Sequence, residues 1–224
     1  MSKYKDRIKE LPRVTLDAIS EVCRGMLPSE YRSSPWDLPY GDKNFAKIFD
    51  QEDQLNGYAA AYTNWHKGKL RIAFDHMPTD TFVGEIAVID WACGQGLATI
   101  FLHEYLEEKG YNCRIKEVIL IEPSEKALDR AKFIIEAIDS KIKVSTVNKK
   151  LDEVIDFDIK LFEKRKTVHL FSNIFDIQGI SLKHITENLL VNLSKNNYII
   201  CVSPYYQQVE SRYNTFLQYF QRPL

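Results

Sequence analysis

The stretch AVIDWACGQGLAT, residues 87–99, decides the fold. It opens as an apolar, β-branched run that closes on Asp90, turns through Cys93-Gly94-Gln95-Gly96, and enters a helical pattern. Glycines at a strand-to-helix turn let backbone approach a ligand closely, and they leave the first N–H groups of the helix facing it. A Gly-x-Gly by itself is also what an ordinary tight turn uses, so the next strand has to decide between the two readings.

That strand ends in ILIEPSEKALDRAK, residues 119–132, and places Glu122 at its carboxyl end. An acid there can accept the hydroxyl protons of a ribose bound across the neighbouring first strand. The plainer reading is an acid that happens to precede a helix. Pro123 and Ser124 serve as helix entry and cap under either reading.

Outward from this pair, short β-branched runs alternate with amphipathic stretches of helical period. The spacing predicts strands at 86–90, 117–121, 143–147, 168–171 and 198–202, with helices at 97–109, 124–138, 182–193 and 209–220. The strands carry few charges and little alternation, as strands covered on both faces do. The expectation is an α/β three-layer sandwich built on a parallel sheet.

Residues 1–80 read as a helical prelude or cap, separate from a sheet domain over 81–224. Two interruptions break the prelude, one at Leu27 to Asp42 and one at the GKL that follows Trp65 and His66. Tyr58, Tyr62, Trp65 and His66 fall at three- and four-residue steps on one side of a helix. A core-facing aromatic stripe is the plainer account. The alternative is a roof over a ligand pocket, in which Tyr62 and His66 touch the substrate.

Composition narrows the classes. The chain has 224 residues, 30 Lys+Arg against 31 Asp+Glu, and 45% hydrophobic residues. The balanced charge gives no global electrostatic reason for a nucleic-acid or anionic-membrane partner. The charged start MSKYKDRIKE has no apolar leader, and no run of 18 apolar residues follows. A cytoplasmic protein without membrane contact is expected. Cys23, Cys93, Cys113 and Cys201 form no C-x-x-C pair, and the histidines stand at no ligand spacing beside them, so free thiols and no metal are expected.

The order apolar-apolar-Asp-x-Ala-Cys-Gly-x-Gly, followed by Glu-Pro-Ser-x-x-x-Leu-x-x-Ala, resembles the class I S-adenosylmethionine-dependent methyltransferases over about residues 85–205. Ala92 stands where the family loop usually has its first glycine. The resemblance implies a Rossmann-like sheet, S-adenosylmethionine as cofactor with S-adenosylhomocysteine as product, and methyl transfer to an acceptor it does not identify: nucleic acid, protein or small molecule. It implies that Asp90 and the loop Ala92, Cys93, Gly94, Gln95, Gly96 line the methionine and ribose end of the cofactor, and that Glu122, with Pro123, holds the ribose. Asn148 stands where the family commonly has an acid on the adenine amino group, and its amide oxygen can take that bond.

After the fourth strand the chain reads HLFSNIFDI, which lacks the paired prolines of enzymes that methylate exocyclic amines of nucleobases. Ser172 falls at the cofactor, while Asn173 and Asp176 are the polar candidates beside the methyl group. Asn173 is expected to orient the acceptor and Asp176 to take a proton or a hydrogen bond, unless Asp176 only caps a turn. Tyr205, after the fifth strand, is a further candidate for touching the acceptor. Cys201 reads as a buried small hydrophobe rather than a nucleophile. A methyltransferase-fold binding or assembly module without catalysis is the rival from another class. A nicotinamide dinucleotide site is a weaker rival, since Thr99 stands where its third glycine belongs. The family sheet normally finishes with an antiparallel strand pair that this sequence lacks, so a homo-oligomer or a larger parent protein is expected to cover the sheet edge.

Overall fold

The computed structural model describes residues 3–38, 48–155, 159, 165–177, 179–190, 196–204 and 207–220. Three helices come first: α1 (Lys3–Lys9), α2 (Leu16–Met26) and α3 (Glu52–Asp75). Then follow β1 (Gly84–Trp91), α4 (Leu97–Glu108), β2 (Cys113–Ile121), α5 (Glu125–Ile138), β3 (Lys143–Val147), β4 (Lys166–Ser172), α6 (Leu182–His184), β5 (Asn197–Val202) and α7 (Gln207–Phe220). Local chemistry sets several boundaries. Thr15 accepts the Ala18 N–H at 3.2 Å to open α2, and Ser124 accepts the Ala127 N–H at 3.1 Å to open α5.

The five strands pair in parallel in the order β3-β2-β1-β4-β5. Asp90 lies opposite Leu120 of β2 and Leu170 of β4, which puts the ends of the three central strands level. The order reverses between β1 and β4, so a crevice opens outside their carboxyl ends, where open parallel sheets of this Rossmann-like kind bind ligands.

Alternation along the strands sorts the core into two layers. Ile86 and Val88 of β1, Val118 and Leu120 of β2, and Val168 and Leu170 of β4 pack on one face with α1 to α5. Ile89, Trp91, Ile119, Ile121 and Phe171 point the other way, against Leu182, Ile185, Val209 and Phe216. On that second face Trp91 stacks on Phe171 at 5.3 Å and donates its indole N–H to His169 Nδ1 at 3.2 Å. Sheet, upper helices and lower helices form the expected three-layer sandwich.

Three details depart from the sequence reading. Gly68 does not break the prelude helix: α3 runs unbroken from Glu52 to Asp75, tied to α4 by Tyr105 Oη donating to Asp75 at 2.8 Å and by the Arg71 fork on Glu108. Trp65 leaves the aromatic stripe and stands 73% exposed, because its side of α3 faces away from the sheet. The helix expected over 182–193 is one α-turn that widens into a π-turn, Ile185–Leu189; Thr186 Oγ1 donates back to the Leu182 carbonyl at 2.9 Å. Residues 191–195, Tyr205 and Tyr206 lie outside the described residues. Among the described residues no helix is long and apolar enough to cross a membrane.

Candidate functional site

The glycine loop leaves β1 through two left-handed residues, Ala92 (φ 51°) and Gly94 (φ 52°), and enters α4 through a third, Gly96 (φ 75°). The two glycines differ in what surrounds them. A side chain at Gly96 would stand 3.0 Å from Ala131 Cβ, so this residue lets α5 close against the loop. A side chain at Gly94 would meet nothing within 4 Å, so this glycine faces the open crevice. Gly94 therefore has open space beside it, whereas Gly96 serves helix packing.

Gln95 is turned inward. Its amide donates to the Leu55 carbonyl of α3 at 2.9 Å, and its Oε1 accepts from Arg130 Nη1 of α5 at 2.9 Å. Arg130, itself buried, also pairs with Glu52 at the start of α3 and lies over the Tyr4 ring at 3.9 Å. The Gln95 side chain thus latches the loop to the prelude. Cys93 is buried, its thiol pushed well above the usual range by desolvation, which removes it as a nucleophile.

Glu122 holds the loop from the neighbouring strand. Its Oε2 accepts the Gly94 N–H at 3.0 Å and its Oε1 accepts the Ser124 N–H at 2.9 Å. Burial raises its pKa and outweighs these two donors, which act in the opposite direction. Asp90, fully buried, accepts from Thr99 Oγ1 at 2.7 Å, and burial raises its pKa to about 7. Thr99 at this helix position is accounted for by that bond. Asn148 donates from one amide nitrogen to the carbonyls of Glu122 and Pro123, both at 3.0 Å. Only the amide nitrogen can serve two carbonyls, so Asn148 Oδ1 faces the other way.

A second group gathers at the end of β4. Asn173 is left-handed (φ 58°), a conformation asparagine tolerates, and its backbone N–H donates to the Val202 carbonyl at 2.7 Å. Its carboxamide points to α3, where Lys69 donates to Oδ1 and Nδ2 lies 2.6 Å from His66 Nδ1 and 3.3 Å from Ser172 Oγ. His66 is buried and its Nε2 lies 2.9 Å from the Tyr58 hydroxyl. Burial, aided by Lys69, lowers its pKa to about 3, so it is neutral at physiological pH. The half-buried Tyr62, one turn before His66, sets its ring 5.1 Å from that of Tyr58 at a tilt of 41°. Asp176 follows three residues after Asn173, with a buried Oδ1 that has no hydrogen-bond partner among the described residues. Burial raises its pKa, against the pull of Lys69 and Arg212.

The sequence-derived residues thus fall into two clusters on one sheet edge. Asp90, the 92–96 loop, Glu122, Pro123 and Asn148 border the β1–β2 side; Ser172, Asn173, Asp176, His66 and Tyr62 border the β4 side. Sequence reasoning missed Lys69, Tyr58 as a partner of His66, and Arg130. Lys69 was findable, since it continues the 58-62-66 step by three residues. Arg130 gave no signal, being one charge on an amphipathic helix whose burial appears only when α1 and α3 close over it.

No protein-family model and no curated protein matches this chain. Among solved structures it is similar to a SAM-dependent methyltransferase of Leishmania major, at 12% identity over 83% of this chain and 74% of that one, TM-score 0.46. It is similar to the N-terminal domain of human METTL16 in complex with SAH, at 15% identity over 92% and 75%, TM-score 0.44. A third likeness is to geranyl diphosphate C-methyltransferase of Streptomyces coelicolor, at 10% identity over 83% of this chain and 59% of that one, TM-score 0.39.

Proposed function

We propose that this chain is an S-adenosylmethionine-dependent methyltransferase whose N-terminal helices α1, α2 and α3 cover the cofactor and help to build the acceptor site. The observation that carries the reading is Glu122 at the carboxyl end of β2, held against the Gly94 N–H beside the β1–β4 switch point. Each carboxylate oxygen has a second lone pair, so Glu122 keeps capacity for the two ribose hydroxyls while it holds the loop. Gly94 and Ala92 form the floor under the ribose and methionine portions. Asn148 Oδ1 accepts from the adenine amino group, and Pro123 flanks the base.

S-Adenosylmethionine, when bound, supplies a methyl group already activated by its sulfonium, so the protein has to align an acceptor, exclude water and receive a proton. Helix α3 excludes water by lying over β4 and β5 on the face it shares with α4. His66 and Asn173 are engaged with each other and with Tyr58 and Lys69. Asp176 is the group with an unfilled acceptor atom, and its raised pKa makes it a better base than an exposed carboxylate. Its part would be to take the proton that an N–H or O–H acceptor gives up when the methyl group passes to it and the sulfonium–methyl bond breaks.

Isothermal titration with S-adenosylmethionine, S-adenosylhomocysteine and NAD tests the cofactor assignment. Micromolar binding of both adenosyl compounds and none of NAD is expected. Binding of NAD alone, or of none of the three, overturns it. Binding without transfer to any of a panel of nucleic-acid, protein and metabolite acceptors would favour the non-catalytic module.

A further inference from the structure

Arg130 of α5 carries a full charge at 3% exposure, and three elements converge on it. Glu52 of α3 pairs with its Nη2, Gln95 of the glycine loop accepts from Nη1 at 2.9 Å, and Tyr4 of α1 sets its ring 3.9 Å from Cζ. The Glu52 side chain is 46% exposed whereas Tyr4 is wholly buried, so the cover that keeps the guanidinium dry comes from α1. The Tyr4 hydroxyl has no hydrogen-bond partner among the described residues. What Tyr4 brings to the cluster is therefore its ring, which attracts the cation and shields it from water.

The rest of α1 holds that ring in place. Lys5 pairs with Asp129 at 2.7 Å, and the ammonium groups of Lys5 and Lys9 lie 5.3 and 5.9 Å from the centre of the Phe133 ring. Asp129, Arg130 and Phe133 are neighbours on α5, so α1 is strapped along that helix. Exposed charge contacts are worth little, and a hydrogen bond to a charged group shielded from water is worth far more. Covered by Tyr4, Arg130 grips Gln95 more firmly than a wet guanidinium would. Gln95 stands between Gly94, whose N–H is on Glu122, and Gly96, which packs on Ala131 next to Arg130. Fixing its side chain fixes the turn that aims the Gly94 N–H.

We propose that Tyr4 and Arg130 are positioning residues for the crevice: Tyr4 keeps the Arg130 guanidinium out of water, Arg130 holds Gln95 and with it the glycine loop, and docking of α1 is thereby coupled to ligand binding outside the strand ends. The nature of that ligand rests on the methyltransferase reading; the order of the loop does not. Coupling of this kind is reciprocal, so a ligand that needs the ordered loop also tightens α1.

The test measures amide exchange by NMR at residues 93–96, and calorimetric affinity for S-adenosylhomocysteine, in the full chain and in Tyr4→Leu, Tyr4→Phe and Phe82→Leu. Phe82 is the control, a buried ring packed on Phe74 and Tyr105 before β1. In Tyr4→Leu the 93–96 amides should exchange about 3- to 30-fold faster, the range that a cation–π contact spans, and S-adenosylhomocysteine should bind more weakly. Tyr4→Phe keeps the ring and should match the parent in both measurements. Phe82→Leu should lose stability and still match the parent in both. Saturating S-adenosylhomocysteine should slow amide exchange in α1 of the parent. Parent-like loop exchange in Tyr4→Leu, an equal acceleration in Tyr4→Phe or in Phe82→Leu, or an α1 indifferent to the bound compound each overturns the proposal. If Tyr4→Leu does not fold, the response of α1 in the parent decides. Absence of S-adenosylhomocysteine binding to the parent removes the methyltransferase reading alone, and the loop exchange of the variants then decides the coupling of α1 to the loop by itself.

Discussion

Glu122 and Gly94 are bound across the junction of two strands, the carboxylate of one accepting the N–H of the other at 3.0 Å. The acid that the sequence marks as a ligand contact is therefore also a brace for the loop that would lie under that ligand. Its second oxygen, on the Ser124 N–H, ties the start of α5 to the same point.

Glu122→Ala removes both roles. Loss of charge-assisted hydrogen bonds is worth about 1.5–3 kcal/mol, so S-adenosylhomocysteine should bind roughly 10- to 150-fold more weakly by calorimetry. The melting temperature should fall as well, since the Gly94 and Ser124 N–H groups lose their partner. Glu122→Gln retains one carbonyl oxygen and should lie between the parent and Glu122→Ala in both measurements. Equal affinity in all three proteins would remove Glu122 from the site.

The two loop glycines should separate binding from folding. At Gly96 any side chain meets Ala131, so Gly96→Val should cost about 1–3 kcal/mol of stability through overpacking, together with the strain of a branched residue at φ 75°. At Gly94 the space is open, and Ala92 shows that this turn accepts a left-handed non-glycine residue. Gly94→Leu should unfold in urea close to the midpoint of Gly94→Ala and yet bind S-adenosylhomocysteine far more weakly than it. Parallel loss of stability and binding at both positions would show that Gly94 also packs against protein.

What the sequence made legible follows from what leaves a periodic trace. The two-sided burial of β1, β2 and β4 appears as unbroken apolar runs, and Asp90 and Glu122 stand out because each ends such a run. Gln95 and Arg130 left no trace, since a polar side chain's destination is set by tertiary closure and neither spacing nor composition encodes it. Trp65 was misplaced for a related reason: three- and four-residue steps span a wide arc of a helix, and only the contact with β4 decides that His66 and Lys69 face inward. The π-turn after α6 was illegible because its apolar period differs little from that of an α-helix over five residues.

Opposite pH dependences should be measurable at two buried groups. Asp90 has its pKa raised to about 7 by burial, so the folded state holds a proton that the unfolded state releases; its contribution is present below pH 4 and is lost as pH rises through about 7. His169 has its pKa lowered to about 4 by burial, against the bond to Asn197, so the unfolded state takes the proton first and stability is lost as pH falls from 6.5 towards 4. In urea unfolding from pH 4.5 to 8, Asp90→Asn should gain on the parent as pH rises, and His169→Gln should gain as pH falls. A constant difference across that range in either variant would mean that the group does not titrate between the folded and unfolded states.

The Gln95 latch joins three elements that are far apart in sequence, and its loss should be felt in all of them. Gln95→Leu keeps the volume roughly constant but strips the Leu55 carbonyl of its donor and Arg130 Nη1 of its acceptor. Arg130 Nε already lacks a partner among the described residues, so the guanidinium cannot redistribute its bonds without moving. Each buried polar group left unsatisfied costs about 1–3 kcal/mol, and the unfolding midpoint should drop by a corresponding amount, whereas Lys126→Ala, on the exposed side of α5, should stay within about 0.5 kcal/mol of the parent. Hydrogen exchange of the amides at 55–58 should quicken more than that of 67–70, because the latch holds the first turns of α3 and the Asn173 contacts hold its middle. Uniform quickening along α3 would mean that the helix opens as one unit and that Gln95 acts only through global stability.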